Sequence, residues 1–347
     1  MAAAAVQESD PIAELITTYN ELNSSVVEEL AEEPSPLEFM RYVARNTPFV
    51  VRGRGSRLAG DQDVERRVSD SVSSRSQCQC CCDAARVGFF HSLASVEKHA
   101  PTLDENGNTV FAKPHEEDQS FPDFIEYLTK QETDPDFRGS EIRYAQTQND
   151  NLRHEYRALF DQVQRSVPFA RIALQQDPDA INLWIGNARS VTALHRDNYE
   201  NVYVQVAGRK HFVLLPPLCQ PCVHERPLRP AHYARRPRPD HENDSSESSS
   251  LELVMEEEAD DVPFCDLGPG QRPGQRDQVL PPGDPDAGDA GARRHVLPAG
   301  HVVSQSCNEE GVCIAVNYWY DMEFSGPLYP LVSFVRSINS VSETPGA

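Results

Sequence analysis

The sequence predicts a mainly β protein, a double-stranded β-helix or jelly roll with flanking α-helices, and three observations lead there. Short β segments rich in Val, Ile, Tyr and Phe recur from about residue 49 to residue 319. Helical periodicity is concentrated towards the two ends of the chain. Two long aperiodic inserts interrupt the β segments, which on their own have the pattern of two sheets packed face to face.

The first pattern, over residues 11 to 30, is an amphipathic helix. Ile12, Leu15, Ile16, Tyr19, Leu22, Val26 and Leu30 recur at helical spacing, with Asp10 placed to cap and Pro11 in the first turn. Ser35-Pro36-Leu37-Glu38 is a capping box that starts a second helix, which runs into a strand over 47–52. From 54 to 98 periodicity is lost and Arg, Ser and Cys dominate, the composition of a disordered insert. Cys78, Cys80, Cys81 and Cys82 crowd too closely there to meet at one tetrahedral zinc.

Pattern returns with a strand over 109–112, and Phe121, Phe124, Ile125 and Leu128 then mark a helix with Ser120 as its candidate cap. A strand over 141–147 and a helix over 154–163 follow. Residues 202–206 and 210–215 are expected to form a hairpin turned at Ala207-Gly208-Arg209. Between 218 and 295 a basic patch (Arg226, Arg229, Arg235, Arg236, Arg238) precedes an acidic run from Glu242 to Asp261 and a Gly/Pro/Asp/Arg tract. Solvated loop is the expectation for all of it. A strand over 312–319 and a helix over 328–338 close the chain.

The divisions that follow are 1–53 (helices and first strand), 54–98 (insert), 99–217 (first part of the jelly roll), 218–295 (second insert) and 296–347 (end of the jelly roll and last helix). The 347 residues suffice for a substantial core. A net charge of −22 argues against nucleic-acid binding, which needs basic surface for phosphates. No apolar run is long enough to span a membrane. Nine cysteines, four of them in one cluster, make no disulfide framework, so a reducing compartment is expected, the cytoplasm and/or the nucleus. Cys219-Gln-Pro-Cys222 has no second cysteine pair to complete a zinc site.

The chemistry centres on His195-Arg196-Asp197. On extended backbone His195 and Asp197 share one face and Arg196 takes the other. One imidazole and one carboxylate are two thirds of the 2-His-1-carboxylate set that holds non-haem Fe(II) with open positions. The third ligand has to come from a distant strand, and His301, just before a strand-like run, is the candidate. His295 is the alternative. Lys210 lies fifteen residues beyond His195 in otherwise apolar sequence, where an inward-facing ammonium requires an anion. Parity leaves its direction open, because both alternating sets of 211–215 are apolar.

Three motifs carry a family resemblance: HRDNYENVY (195–203), GRKHFVLLPP (208–217) and AVNYWYDMEF (315–324). With PLEFMRYVARNTPFVVRG (36–53) and the Tyr144-Ala145-Gln146 strand, the chain resembles the Jumonji-C (cupin-8) family of Fe(II)- and 2-oxoglutarate-dependent oxygenases, and within it the bifunctional peptidase and (3S)-lysyl hydroxylase branch. The resemblance implies a cupin-like jelly roll with His195, Asp197 and His301 as iron ligands. It implies that Lys210 holds the distal carboxylate of 2-oxoglutarate with Thr192 and Tyr144, and that Asn201, Asn317, Gln146 and Trp319 line the cosubstrate pocket. The implied substrate is a lysine-containing segment of a protein, in that branch a GTP-binding protein, and the terminal helices are expected to pair two subunits. Histone lysine demethylation, histone-tail cleavage and a non-catalytic binding role are the competing expectations. The chain departs from the family pattern before His301, where LPAG stands in place of an aromatic-containing approach.

Overall fold

The computed structural model describes residues 10–52, 90–95, 102–139, 141–146, 150–161, 163–223, 225–235, 251–265, 287–291, 294–297, 301–306 and 312–342. Helix α1 (Pro11–Asn23) opens on Asp10, whose carboxylate accepts the Ile12 amide. The helix expected to reach residue 30 stops at Asn23, because Ser24 takes a left-handed φ of 66° and Glu28–Leu30 becomes strand β1. Helix α2 (Pro36–Arg45) starts from the reciprocal Ser35/Glu38 capping box and leads into β2 (Phe49–Val51), which pairs in parallel with β1.

The chain continues through β3 (Phe90–Ser95), β4 (Thr102–Leu103), β5 (Thr109–Lys113), β6 (His115–Gln119), α3 (Phe121–Thr133) and β7 (Ile142–Ala145). Ser120 occupies the cap of α3 but makes no side-chain cap bond. A single turn α4 (Arg157–Phe160) replaces the longer helix expected there, and α5 (Pro168–Leu174) follows. Then come β8 (Ala180–Gly186), β9 (Val191–Arg196), β10 (Tyr199–Ala207) and β11 (Arg209–Leu215). Beyond a 3-10 helix (Pro217–Val223) lie β12 (Glu225–Leu228), β13 (Pro230–Arg235), β14 (Leu251–Met255), β15 (Val262–Cys265), β16 (Ala287–Gly291), β17 (Arg294–Leu297), β18 (His301–Ser306), β19 (Cys313–Asp321) and α6 (Leu328–Ser342).

Two sheets make the jelly roll. One has the order β1-β2-β17-β10-β19-β8-β7-β3-β6 and the other β16-β11-β18-β9. The expected hairpin over 202–215 is not formed: β10 pairs with β17 and β19, whereas β11 pairs with β16 and β18. Gly208, at φ 71°, carries the chain from one sheet to the other. Its turn chemistry suits either outcome, and long-range strand pairing decides between them.

The loop expected over 218–295 is also corrected in part. β12 pairs with β15, and β13 pairs with β14 and in parallel with β5. The charges that read as solvated loop find distant partners: Lys113 bonds Glu256 at 2.9 Å, and Arg235 bonds Glu141 at 2.7 Å. The insert expected over 54–98 falls outside the described residues except for β3, which pairs with β6 and β7.

Alternation along β8, β10 and β19 separates an apolar face from a polar one. Ile181, Leu183, Ile185, Val202, Val204, Ile314, Val316, Tyr318 and Tyr320 join Phe39, Phe124, Leu128 and Phe169 from the helices in the main core. Each fully buried side chain of this size contributes roughly 1.5–3 kcal/mol, and Phe39 meets the Phe169 ring edge-on at 5.2 Å. A second cluster, built on Ile16, Leu218, Val332 and Val335, ties α1, the 3-10 helix and α6 together. Among the described residues no helix is long and apolar enough to cross a membrane. The polar face of the large sheet is the one turned towards the small sheet.

Candidate active site

That inner face is laid out by register. Across β10, β19 and β8 run three rows: Asn201–Trp319–Ala180, Tyr203–Asn317–Asn182 and Gln205–Ala315–Trp184. Four buried polar atoms in these rows, Asn182 Nδ2, Trp319 Nε1, Asn201 Oδ1 and Gln205 Oε1, have no hydrogen-bond partner among the described residues. Buried polar groups are paired in nearly all folded proteins, so such a collection on one face marks a surface built to meet a polar ligand or water.

Lys210, from β11, reaches across to this face. It is 5% exposed, and its Nζ donates to Tyr144 Oη at 2.9 Å and Tyr203 Oη at 2.8 Å. The rings of Tyr144, Trp184, Tyr203 and Phe212 surround it at 5.0–5.8 Å. Burial works against the ammonium charge, but the oxygens of Tyr144 and Tyr203 outweigh it, so Lys210 stays protonated above the ordinary lysine range. Burial likewise raises the Tyr203 phenol, which stays neutral. Two of the three ammonium protons are used on the tyrosines, and among the described residues no carboxylate bonds the third. Each phenol, accepting from Lys210, keeps its own O–H to donate. The cage presents donors and a positive charge, which is what a carboxylate requires.

The second half of the site is on β9. His195 Nε2 lies 3.4 Å from Asp197 Oδ2, and its Nδ1 lies 2.8 Å from the Ala193 carbonyl. A proton on Nδ1, donated to that carbonyl, leaves the Nε2 lone pair free beside the carboxylate. Burial opposes a charge on this imidazole, yet the adjacent Asp197 holds its pKa above the ordinary value. Two ligand atoms at adjacent positions on one divalent ion lie about 3 Å apart, so this pair fits a shared metal. Thr192 and His195 are an odd number of residues apart, and simple alternation would put them on opposite faces. The β9–β18 register shifts between Val302 and Ser304, so β9 holds one extra residue there. That bulge brings Thr192 onto the face of His195.

Tyr144, on β7, packs its ring 6.0 Å from Trp184, and Gln146 follows just past the end of that strand. Trp319 stacks on Tyr199 at 4.8 Å with planes 2° apart. The backbone of His301 is carried by β18 next to β9, paired with Arg196, while Val302 pairs with His195. The His301 side chain lies outside the described residues, and among those residues no three His, Cys, Asp or Glu side chains converge on one point. His295, the alternative ligand, is on β17 in the other sheet, where it pairs with Tyr203 and Val50.

Sequence reasoning missed Tyr203, Trp184 and Phe212. The signal was present: Tyr203 has the parity of Asn201, Trp184 that of Asn182, and Phe212 that of Lys210.

A jelly roll whose inner face pairs a metal-type His/Asp couple with a caged, anion-seeking lysine defines a cupin-like oxygenase fold. Residues 34–271 match the cupin-like domain family. The chain is 36% identical to the human bifunctional peptidase and (3S)-lysyl hydroxylase JMJD7 over 193 residues, covering 53% of this chain and 54% of that protein. It is 27% identical to the lysine-specific demethylase JMJ32 of Arabidopsis thaliana, covering 90% of this chain and 86% of that protein. It is also 27% identical to JmjC domain-containing protein E of Dictyostelium discoideum, covering 93% and 95% respectively. The chain belongs to the cupin-like JmjC oxygenases.

Proposed function

We propose that this protein is an Fe(II)- and 2-oxoglutarate-dependent hydroxylase acting on a lysine side chain in a protein substrate, within a segment of a GTP-binding protein. The observation that carries the reading is the buried, charged Lys210, without a carboxylate partner among the described residues, together with the His195–Asp197 pair. His195, Asp197 and His301 would hold the iron. Lys210, with Tyr144, Thr192 and Tyr203, would hold the far carboxylate of 2-oxoglutarate, and Asn201, Asn317, Gln146 and Trp319 would line its pocket. When bound, the pair supplies oxidation: one oxygen atom of O₂ enters a C–H bond and the other leaves in succinate, with loss of CO₂.

The chain's own residues supply placement. Lys210 would hold the dicarboxylate by its distal end and so orient it in the pocket. The aromatic cage keeps water from the ammonium and strengthens that attraction. The Ala193 carbonyl holds the His195 ring so that Nε2 lies beside the Asp197 carboxylate, where the two would hold the iron. Lysine as the substrate draws its support from the similarity to a human (3S)-lysyl hydroxylase and an Arabidopsis lysine-specific demethylase. The Arabidopsis protein also favours a second reading, lysine demethylation, because its match spans most of both chains.

The test incubates the purified protein with Fe(II), 2-oxoglutarate and lysine-containing protein or peptide, reading succinate release and substrate mass. Hydroxylation adds one oxygen; demethylation removes a methyl group; cleavage shortens the chain. His195→Ala is expected to abolish bound iron and all three outcomes while the protein stays folded. Iron retained at the parental level by that variant would overturn the assignment.

A further inference from the structure

We infer that Trp184 is a positioning residue: its indole N–H fixes the Asn317 carboxamide so that the amide donates to the 2-oxo acid. The inference rests on the oxygenase reading above. Trp184 Nε1 donates to Asn317 Oδ1 at 3.0 Å. An indole nitrogen can only donate, so the Asn317 atom it meets must be the oxygen. The flip ambiguity common to carboxamides is thereby decided by chemistry.

The end left for the pocket is the NH₂. Asn317 is 2% exposed, and its side-chain oxygen is the end that the Trp184 N–H occupies. Asn317 sits directly across the ladder from Tyr203, whose hydroxyl steadies Lys210. The amide protons therefore lie in the same row as the Tyr203 phenol, whose hydroxyl accepts from the Lys210 ammonium and keeps its own proton to donate. Without the indole N–H, the two nearly isosteric ends of the amide could exchange. Its oxygen would then meet the dicarboxylate as a second acceptor, and an attraction would become a repulsion.

Trp184 also touches the site as a ring, 5.8 Å from Lys210 Nζ and 6.0 Å from the Tyr144 ring. Phenylalanine retains an aromatic wall and removes the N–H, so Trp184→Phe isolates the proposed role. The assay is 2-oxoglutarate binding to the metal-loaded protein without oxygen, followed by the KM and kcat of succinate release. Trp184→Phe is expected to weaken 2-oxoglutarate binding and raise its KM by about tenfold, with kcat and the melting temperature of the unliganded protein near the parental values. Asn317→Ala should weaken binding comparably, and the double variant should be no weaker than Asn317→Ala alone, since both changes act through one amide.

Asn317→Asp keeps the oxygen that Trp184 meets but presents a carboxylate to the ligand, and it should lose about a hundredfold or more. This variant tests the donor role even if Trp184→Phe fails to fold. Parental binding in Trp184→Phe, independent multiplying losses in the double variant, or parental binding in Asn317→Asp would each overturn the inference while leaving the oxygenase reading intact. Failure of the parent protein itself to bind 2-oxoglutarate would overturn both.

Discussion

Replacing Glu200 with glutamine is expected to stabilise this protein at neutral and alkaline pH and to do nothing in mild acid. Glu200 is 6% exposed on β10, on the same strand face as Val202 and Val204, and it lies across the ladder from fully buried Tyr320. Its Oε2 has no hydrogen-bond partner among the described residues. Burial alone raises its pKa from 4.5 to about 7. In the unfolded chain the carboxyl ionises near its ordinary value, while in the fold it keeps its proton up to about 7. Stability therefore falls as pH rises through that window and levels off above it. The full loss is on the order of 3 kcal/mol. Glutamine has the same shape and no such ionisation. Urea unfolding of the two proteins from about pH 5 to about pH 8.5 should show the variant's advantage growing with pH and then reaching a plateau. A pH-independent difference, or an advantage that shrinks with rising pH, would mean that Glu200 is ionised in the fold, and the argument from burial would fail.

Three further outcomes follow from contacts in the structure. Lys210→Met should abolish the rise in melting temperature that 2-oxoglutarate gives the metal-loaded parent, without lowering the unliganded melting temperature. The methionine replaces a buried charge that lacks a counterion among the described residues, and a thermal melt with and without ligand checks both halves. Gly186→Ala would bring a methyl group to 2.5 Å from Ser190 Oγ and 2.7 Å from Tyr144 Cδ2. It should cost about 1–3 kcal/mol and weaken 2-oxoglutarate binding by shifting Tyr144 away from Lys210, both readable by ligand-dependent melting. Ser35→Ala removes the oxygen that accepts the Glu38 amide at the start of α2. It should destabilise the protein by about 1 kcal/mol, measured by urea unfolding, and leave 2-oxoglutarate binding unchanged.

Several elements were legible because their causes are local. The capping box at Ser35, the Asp10 cap and the strand over 312–319 depend on residues a few positions apart, and each appears as expected. The failures share the opposite property. The hairpin over 202–215 was wrong because β10 had a choice of partners, and β17 and β19 won. The strands between 225 and 265 were hidden by charges whose neutralising partners, Lys113 and Glu141, lie far away in sequence. At the site, the pairing of His195 with Asp197 followed from strand parity, whereas the position of Thr192 needed a bulge that leaves no mark in residue type.

By itself the sequence determined the ingredients: which side chains alternate, where the first helices begin, and that one imidazole and one carboxylate share a strand face. These are consequences of backbone geometry over two to four residues. The direction of Lys210 was decided only by the tertiary structure. Both faces of its strand are apolar, so nothing nearby favours one over the other. What turns it inward is a pair of phenols from β7 and β10, sixty-six and seven residues away, brought together when the two sheets close. Only there can a buried ammonium find enough oxygen to stay charged.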